Sequence, residues 1–250
     1  MSETIIRGEN LEIAYGENVL LRDGNFAVKR GDIFIIMGGS GSGKSSLLKT
    51  LIGLKEPKAG RVFIRDEDFY QSDEAKRRQI MQGCGVLYQS GALFSSMTIG
   101  ENAALPLQQY STYSPETIAE LVELKLALVG LQGYRDFYPD ELSGGMKKRA
   151  SLARALALDP DILYFDEPSS GLDPVSSRLQ DELILEINAN QGTTIVVISH
   201  DVDSILTIGN NAIYLDGNAK QITAAGSPQE WLRNPPNAAL ADFFKRRRGE

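Results

Sequence analysis

The sequence is poor in cysteine and histidine and contains no long hydrophobic segment. Its 250 residues include one cysteine, Cys84, and one histidine, His200. A single cysteine excludes an intrachain disulfide and is typical of a protein of a reducing compartment. No stretch approaches the about 18 consecutive apolar residues of a membrane-spanning helix, and the N-terminal residues lack the apolar core of a signal peptide. If the protein serves a membrane, we expect it to act there through partner chains.

Basic residues are outnumbered by acidic ones. The chain has 26 Lys and Arg against 33 Asp and Glu, which gives a formal net charge of −7. Domains that bind nucleic acid usually carry net positive charge or a basic stripe, so this balance argues against a nucleic-acid partner. The exception is the Lys-Arg-Arg-Arg run at residues 245–248. Two interpretations stay open: a solvated chain end, or contact with an anionic membrane surface or an acidic partner.

Apolar runs alternate with helical patterns along much of the chain. Continuous apolar runs at residues 33–37, 162–165 and 195–198 are typical of strands buried on both faces of a sheet. Ser114 and Pro115 form a helix-start signal, after which apolar residues recur at helical spacing as far as Val129. Strands that alternate with helices predict an α/β fold with a mainly parallel sheet.

Two segments depart from that alternation. Residues 4–36 predict short strands and turns, with Gly16, Gly24 and Gly31 as breakers. Residues from about 90 to 158 are helix-rich and predict a helical insertion. We therefore expect an N-terminal antiparallel β subdomain, an α/β core and an inserted helical subdomain.

A glycine-rich segment lies between the apolar run 33–37 and a predicted helix. It fits the P-loop pattern G-x-x-x-x-G-K-[ST] with the residues Gly38, Gly39, Ser40, Gly41, Ser42, Gly43, Lys44 and Ser45. The glycines allow a tight turn that aims N–H groups at phosphate oxygens, and the helix N-terminus adds a favourable dipole. Lys44 can place its charge on the β- and γ-phosphates, and the Ser45 hydroxyl can bind Mg²⁺. A flexible linker would not need Lys-Ser at this offset, so we predict an ATP and Mg²⁺ site that extends to Ser46.

Two carboxylates, Asp166 and Glu167, end the apolar strand predicted at residues 162–165. In P-loop enzymes an Asp at this place holds Mg²⁺ through its water shell, and ligand crevices form at the carboxyl ends of parallel strands. Glu167 can polarise the attacking water as a general base. The alternative is a solvated turn, because Asp-Glu-Pro often simply ends a strand. The P-loop upstream favours the catalytic interpretation.

Residues 142–146, Leu-Ser-Gly-Gly-Met, resemble the signature motif of the ABC ATPase family, which usually reads L-S-G-G-Q. Ser143 can cap a helix that we predict from Met146 to Leu158, while Gly144 and Gly145 leave its first N–H groups uncovered as an anion site. The alternative is an ordinary glycine-rich helix start. In the family this site meets the γ-phosphate held by a second subunit, so the resemblance implies a homodimer whose chains complete each other's sites.

Two residues before the signature motif, Tyr15 and Gln89, also match residues of the ABC ATPase family and occur in the same order along the chain. Tyr15 resembles the aromatic residue that stacks on adenine, although it could be an ordinary core or surface aromatic. Gln89, after a predicted strand at residues 85–88, resembles the glutamine that contacts Mg²⁺ and the attacking water. The alternative for Gln89 is a surface polar residue.

Two positions after the signature motif extend the match. Asp173, in Ser-Gly-Leu-Asp at residues 170–173, resembles the loop that crosses the dimer interface, and it can equally start a helix with Pro174. His200 follows a predicted strand and resembles the histidine that contacts the γ-phosphate and holds Glu167. A lone histidine is often incidental, but its place after a strand favours function. The resemblance implies an ATP-hydrolysing transporter subunit whose catalytic residues are Lys44, Gln89, Glu167 and His200.

Two segments indicate which branch of the ABC ATPase family the sequence resembles most. Residues 89–94, Gln-Ser-Gly-Ala-Leu-Phe, and residues 146–149, Met-Lys-Lys-Arg, are similar to the Mla-type branch, which serves transporters built with MCE-domain proteins that move phospholipids or other lipids between membranes. That similarity implies a multi-span permease, an MCE-domain protein, a small STAS-domain regulator and a peripheral position at the cytoplasmic face of a bacterial inner membrane. Residues 169–174 are generic for ABC ATPases, which keeps other importers and exporters open.

Two further classes of protein are matched less well. A soluble ABC ATPase that acts on nucleic acid usually carries a long coiled-coil insertion or two cassettes, and the sequence shows neither. A P-loop nucleotide kinase would not need the signature motif or His200.

We expect one ABC ATPase domain over residues 1–236, with its helical subdomain at about 90–158, and a C-terminal extension over 237–250. Leu93 and Phe94 either form a docking surface for the permease or belong to the core of the helical subdomain. Leu240, Phe243 and Phe244 lie on one face of a short predicted helix. That face either docks on a second subunit or a regulator, or packs on its own subunit.

Overall fold

The computed structural model describes residues 3–245. From the N-terminus to the helical insertion, the elements are β1 (Thr4–Tyr15), β2 (Asn18–Lys29), β3 (Ile33–Gly38), α1 (Lys44–Leu51), β4 (Ala59–Ile64), β5 (Glu67–Asp68), α2 (Glu74–Gln82) and β6 (Cys84–Leu87). The rest of the described chain contains α3 (Ile99–Tyr110), α4 (Pro115–Leu128), a 3₁₀ turn (Pro139–Glu141), α5 (Gly144–Ala155), β7 (Ile162–Asp166), α6 (Pro174–Gln191), β8 (Thr194–Ile198), α7 (Val202–Ile208), β9 (Asn211–Asp216), β10 (Gln221–Gly226), α8 (Pro228–Arg233) and α9 (Ala238–Lys245).

A six-stranded sheet in the order β10-β9-β3-β8-β7-β6 forms the centre of the fold. Every neighbouring pair is parallel except β10 with β9. Because β3, β7 and β8 run side by side in the same direction, their carboxyl ends meet at one edge, where crevices form in such sheets. The predicted α/β core with a mainly parallel sheet is confirmed.

The central sheet is covered on both faces, as the apolar run of β3 predicts. All six residues of β3 are buried. Successive side chains of a strand point to opposite faces, so Ile33, Ile35 and Met37 pack among residues of the helices, while Phe34 and Ile36 pack with α1 and the N-terminal sheet. The two hydrophobic clusters thus hold the phosphate loop, which starts at the end of β3, between fixed layers.

The N-terminal subdomain is an antiparallel sheet in the order β2-β1-β4-β5. The prediction that Gly24 ends a strand is wrong, because β2 continues through Gly24, which pairs with Leu11 where the register of β1 shifts. A Cβ atom at Gly24 would lie 2.7 Å from Leu21 Cδ2. This glycine therefore accommodates close packing beside an irregularity in the sheet instead of breaking the strand.

The predicted helical insertion consists of α3, α4 and α5 between β6 and β7. Helix α4 starts at Pro115 with Ser114 as its N-cap, as predicted. Helix α5 starts at Gly144 and ends at Ala155, which corrects the predicted bounds Met146 and Leu158. The helix begins earlier because Ser143 already has the extended backbone of an N-cap and the glycines after it take up the first turn.

The C-terminal helix α9 packs on its own chain. Leu240 and Phe244 are buried in the cluster on the helical side of the central sheet. The Phe243 ring contacts the Tyr214 ring of β9 with 5.9 Å between ring centroids. Of the two interpretations of this face, the structure shows packing on the same subunit. Of the basic run, Lys245 ends α9, and residues 246–248 lie outside the described residues.

Candidate active site

The phosphate loop joins β3 to α1 and has the backbone shape that its glycines permit. Gly43 is the N-cap of α1 with a φ of 97°, a conformation that residues with side chains rarely adopt. A Cβ atom at Gly38 would lie 2.5 Å from the carbonyl oxygen of Leu215. The Lys44 ammonium donates to the carbonyl oxygens of Gly38 and Gly39 at 2.9 and 2.8 Å. These contacts hold the lysine charge over the loop.

A cavity of about 1010 Å³ opens above the phosphate loop. Every residue from Gly38 to Ser46 lines it, so the predicted ATP-binding loop forms one wall. The structure adds a second wall, which consists of Asn18, Leu20, Glu167, His200, Asp201, Val202, Asp203 and Phe243. This volume suits a nucleotide-sized ligand.

The Glu167 carboxylate lies between two of the three other predicted catalytic side chains, Gln89 and His200. Its Oε1 is 3.1 Å from His200 Nδ1, and its Oε2 accepts a hydrogen bond from Gln89 Nε2 at 3.1 Å. The Glu167 N–H donates to the carbonyl oxygen of Ile198 at 2.9 Å. Residues from the ends of β6, β7 and β8 thus converge on one carboxylate beside the phosphate loop, as a general base with two orienting partners would.

Asp166, which is part-buried, and the buried Lys44 of the phosphate loop carry opposite charges that influence each other's pKa. Burial raises the pKa of Asp166, the charge of Glu167 raises it further, and Lys49 and Lys44 oppose the shift. Burial also lowers the pKa of Lys44, against the effect of Glu167 and Asp166. The carboxylates at the strand end are therefore crowded, and a cation would relieve their repulsion.

The residues predicted to hold Mg²⁺ are Ser45, Gln89 and Asp166. Within residues 3–245 there is no cluster of three or more His, Cys, Asp or Glu side chains arranged for a metal ion. Mg²⁺ bound with a nucleotide usually takes one or two carboxylates plus phosphate oxygens and water. The Ser45 hydroxyl, the Gln89 amide and the Asp166 carboxylate, all beside the phosphate loop, fit that mode of binding.

The signature residues lie away from the chain's own cavity. Ser143 caps α5, its hydroxyl accepting from the Met146 N–H at 3.3 Å, and the first turn of α5 carries no acidic residue. None of Ser143, Gly144 and Gly145 lines the cavity above the phosphate loop. Asp173 caps α6 by accepting from the N–H groups of Val175 and Ser176, so its helix-start interpretation is confirmed and its interface role stays a prediction.

Tyr15 is the one predicted ATP contact of the N-terminal subdomain. It ends β1, pairs with Asn18 of the cavity wall and is 51% exposed. The ring does not line the cavity; instead the Lys55 ammonium lies 3.9 Å from its centroid. The structure thus places Tyr15 at the rim with an exposed ring, and its adenine contact stays a prediction.

Comparison with known proteins identifies the family. A family model described as "ABC transporter" matches residues 21–170, which is more than half of the chain. The chain belongs to the ABC transporter family. It is the ATP-binding and ATP-hydrolysing subunit of such a transporter, and ATPases of this family dimerise and pair with membrane permeases.

Three relatives of this ABC ATPase show how far the similarity extends. The intermembrane phospholipid transport system ATP-binding protein MlaF of Haemophilus influenzae is 38% identical over 98% of this chain and 92% of its own length. The glycine betaine/proline betaine transport system ATP-binding protein ProV of Escherichia coli is 40% identical over 92% of this chain, which spans 57% of that protein. A solved dimer of the ATP-binding cassette MJ0796 in a post-hydrolysis state with ADP and Pi is 29% identical, with a TM-score of 0.81, over 90% of this chain and 99% of its own.

Sequence reasoning did not identify three side chains around the ABC ATPase site. Lys148 of α5 contacts the turn after β7, Arg154 of α5 contacts the loop after β6, and Phe243 of α9 reaches the cavity wall. Each contact joins segments that are far apart in the chain, and no local pattern marks them. None of the helices within residues 3–245 combines the length and the apolar character that a membrane span requires.

Replacing Asp166 with Asn is expected to stabilise this ABC ATPase while it weakens catalysis. The raised pKa means that the folded chain binds the Asp166 proton more tightly than the unfolded chain, so the wild type loses stability as pH rises through that pKa. Asn removes the buried charge, and we expect a gain of about 0.5–2 kcal/mol near pH 7.5. Asp166 is predicted to hold Mg²⁺, and loss of a group at a metal site typically costs about 10–100-fold, so we expect Mg²⁺-dependent turnover to fall by that factor.

Thermal unfolding and ATP turnover at pH 7.5 measure both effects. Asp136→Asn, an exposed position in the helical insertion, is the matched control and should change neither. A lower melting temperature together with unchanged turnover in Asp166→Asn would contradict the electrostatic account of this strand end.

Proposed function

We propose that this ABC ATPase powers the transport of phospholipid or another lipid between membranes, together with a multi-span permease and an MCE-domain lipid-binding protein. The observation that carries the proposal is 38% identity with the phospholipid-transport protein MlaF over 92% of that protein. Residues 146–149, Met-Lys-Lys-Arg, support the same branch. A small STAS-domain regulator and a peripheral position at the cytoplasmic face of a bacterial inner membrane belong to the proposal.

A second candidate is the ATPase subunit of an importer of small solutes. It rests on 40% identity with the glycine betaine/proline betaine protein ProV, of which the chain spans 57%. Both relatives share the ATPase core, so contacts around the phosphate loop do not distinguish the two cargoes. The partners that bind the chain therefore decide between them.

In the proposed mechanism, Tyr15 and residues 38–46 hold ATP, and Lys44 neutralises charge that develops on the transferred phosphoryl group. Glu167 takes a proton from the attacking water, while Gln89 and His200 fix the carboxylate from its two sides. Mg²⁺ bound with the nucleotide would add positive charge at the phosphates. Ser45, Gln89 and Asp166 are the residues that would hold it.

Ser143, Gly144, Gly145 and Asp173 are proposed to act on ATP held by a second copy of the chain. The support is geometric: the first turn of α5 carries no acidic residue, and the space beside Gly144 is open, yet this helix end does not line its own chain's cavity. Such a helix end favours a phosphate. A homodimer in which each chain completes the other's site satisfies this arrangement.

The permease is proposed to dock in an apolar groove next to the Gln89 loop. This permease groove has a volume of about 470 Å³, and its apolar lining includes Met81, Tyr88, Phe94, Leu105 and Tyr110. Phe94 is 54% exposed, while its neighbour Leu93 packs against the core. A groove of this kind fits an amphipathic helix, and its position beside Gln89 would let a bound helix sense the catalytic centre.

The division of the chain into an ABC ATPase domain at residues 1–236 and a C-terminal extension at residues 237–250 stays a prediction.

The test is a pull-down with tagged Glu167→Gln from detergent-solubilised native membranes, with ATP and Mg²⁺ present to hold the closed dimer. Proteins and lipids in the eluate are identified by mass spectrometry. Glu167→Gln with Phe94→Asp is the matched control, since it should lose the permease and keep the ATP-bound dimer.

We expect a multi-span permease, an MCE-domain protein and bound phospholipid. A permease with a binding protein for a small solute would overturn the lipid assignment in favour of the importer. Recovery of nucleic acid without any membrane protein would contradict a role in transport.

A further inference from the structure

Lys148 is a buried lysine, and none of the roles assigned to residues of the ATP site explains its contacts. It lies on the second turn of α5, and it is only 7% exposed. Its ammonium donates to three backbone carbonyl oxygens: Pro168 at 2.8 Å, Glu167 at 3.4 Å, and Ser170. A lysine ammonium has three N–H donors, so all of them are directed at the same turn.

The turn at residues 167–170 has a conformation that needs support. Glu167 has a φ of 51°, and this left-handed region is unfavourable for a residue with a side chain. The Ser170 N–H donates back to the Glu167 carbonyl at 3.1 Å. The turn therefore aims several carbonyl dipoles at one partly buried point, which is unfavourable unless a donor or a cation lies there. Lys148 supplies both.

The same turn sets the position of the general base. The Ser170 hydroxyl accepts from Gln89 Nε2 at 3.3 Å, and the Glu167 carboxylate contacts Gln89 and His200. If the turn relaxes, the Glu167 carboxylate moves with it. Misplacement of a catalytic group by about 1 Å can lower a rate by about 100-fold.

Helix α5 also contacts the Gln89 loop. The Arg154 guanidinium donates to the carbonyl oxygens of Gly91 and Ala92 at 3.0 and 2.8 Å. Helix α5, which follows the signature motif and is called the signature helix here, is therefore fixed both to the loop after β6 and to the turn after β7. A shift of α5 would displace both sides of the Glu167 environment.

We propose that Lys148 is a positioning residue for ATP hydrolysis, which holds the Glu167 turn to the signature helix so that the general base and α5 move together. The inference rests on the proposed role of Glu167 and adds a residue to that site. Lys148 does not touch the reacting atoms, so its effect must pass through the Glu167 turn. In a dimer, ATP bound by the partner at the N-terminus of α5 would thereby affect the chain's own general base.

The first test measures kcat, KM for ATP and thermal stability of Lys148→Met in the full chain. Met preserves length and apolar packing but removes every donor, so we expect kcat to fall about 10–100-fold while KM changes by less than about twofold. Lys148→Gln retains N–H donors and should keep a kcat between those of the wild type and Lys148→Met. If Lys148→Met does not fold, Lys148→Gln carries the test with the same expected direction.

Lys125→Met is the matched control. Lys125 is 4% exposed, lies on α4 and pairs with Asp159, so it is an equally buried lysine of the helical insertion away from the Glu167 turn. Its loss should lower stability and leave kcat unchanged. A purely structural role for Lys148 would give the same result as Lys125→Met.

The second test combines Lys148→Met with Glu167→Gln. Because Lys148 acts through Glu167, the double variant should have the kcat of Glu167→Gln alone. If Lys148→Met lowers kcat in the Glu167→Gln background by the same factor as in the wild type, the inference is overturned. A wild-type kcat in the Lys148→Met single variant, with Glu167→Gln inactive, would also overturn it. Full activity of Glu167→Gln by itself would instead overturn the proposed role of Glu167, and the inference with it.

Discussion

Replacing Glu167 with Gln is expected to lower kcat for ATP hydrolysis by about 10²–10⁴-fold, the usual contribution of a positioned general base. Gln has the size of Glu and can keep the hydrogen bond from Gln89 Nε2, so the geometry of the site should persist. What it loses is the ability to accept a proton from water at neutral pH. ATP affinity should be unchanged or higher, because one negative charge near the phosphates is gone.

Single-turnover hydrolysis and equilibrium binding of a fluorescent ATP analogue separate the two effects of Glu167→Gln. Glu186→Gln makes the same chemical change at an exposed position of α6 and should retain the wild-type rate. Turnover within about threefold of the wild type in Glu167→Gln would place the general base on another residue, since removal of a general base costs about 10²-fold or more.

Replacing Lys44 with Met is expected to weaken ATP binding by about 100-fold or more. Each hydrogen bond to a charged group contributes about 1.5–3 kcal/mol, and a lysine over the phosphate loop contacts two phosphates in P-loop enzymes. The lysine is held by the carbonyls of Gly38 and Gly39, so its charge already lies at the loop. Met fills the same volume without charge, which keeps the loop packed.

Isothermal titration with ATP and Mg²⁺ measures the affinity of the Lys44 variant. Lys58→Met removes an exposed lysine that pairs with Glu12, and its ATP affinity should equal that of the wild type. An unchanged affinity in Lys44→Met would mean that the cavity above residues 38–46 is not where the phosphates bind.

The parts of the fold that could be predicted from the sequence are those with strong local patterns. The apolar run of β3, the glycines after it and the start of α1 together define a strand, a loop and a helix without any information from elsewhere in the chain. Asp166, Glu167 and His200 could be placed at the same sheet edge because parallel strands end together. The contacts of Glu167 with His200 and Gln89 agree with that placement.

Features that depend on contacts between distant segments could not be predicted. Gly24 had the local signature of a strand end, yet packing against Leu21 keeps it inside β2. In the sequence, Lys148 stands out only as part of the Met-Lys-Lys-Arg run at residues 146–149, and its burial against the turn after β7 appears only in the folded chain. The apolar face of α9 was recognised, but its partner, the helical side of the core, is defined only by the folded sheet.

We propose that each ATP site is built from the phosphate loop of one chain and the N-terminus of α5 of another. Mixing Lys44→Met with Ser143→Asp tests it most directly. Asp remains a good N-cap, so α5 should stay folded, but its charge repels a phosphate. Each variant alone should be nearly inactive, and an equal mixture should recover about a quarter of the wild-type turnover, because half of the dimers are mixed and each of these has one intact site. No recovery in mixtures that still form ATP-dependent dimers, or full activity of Ser143→Asp alone, would contradict the claim.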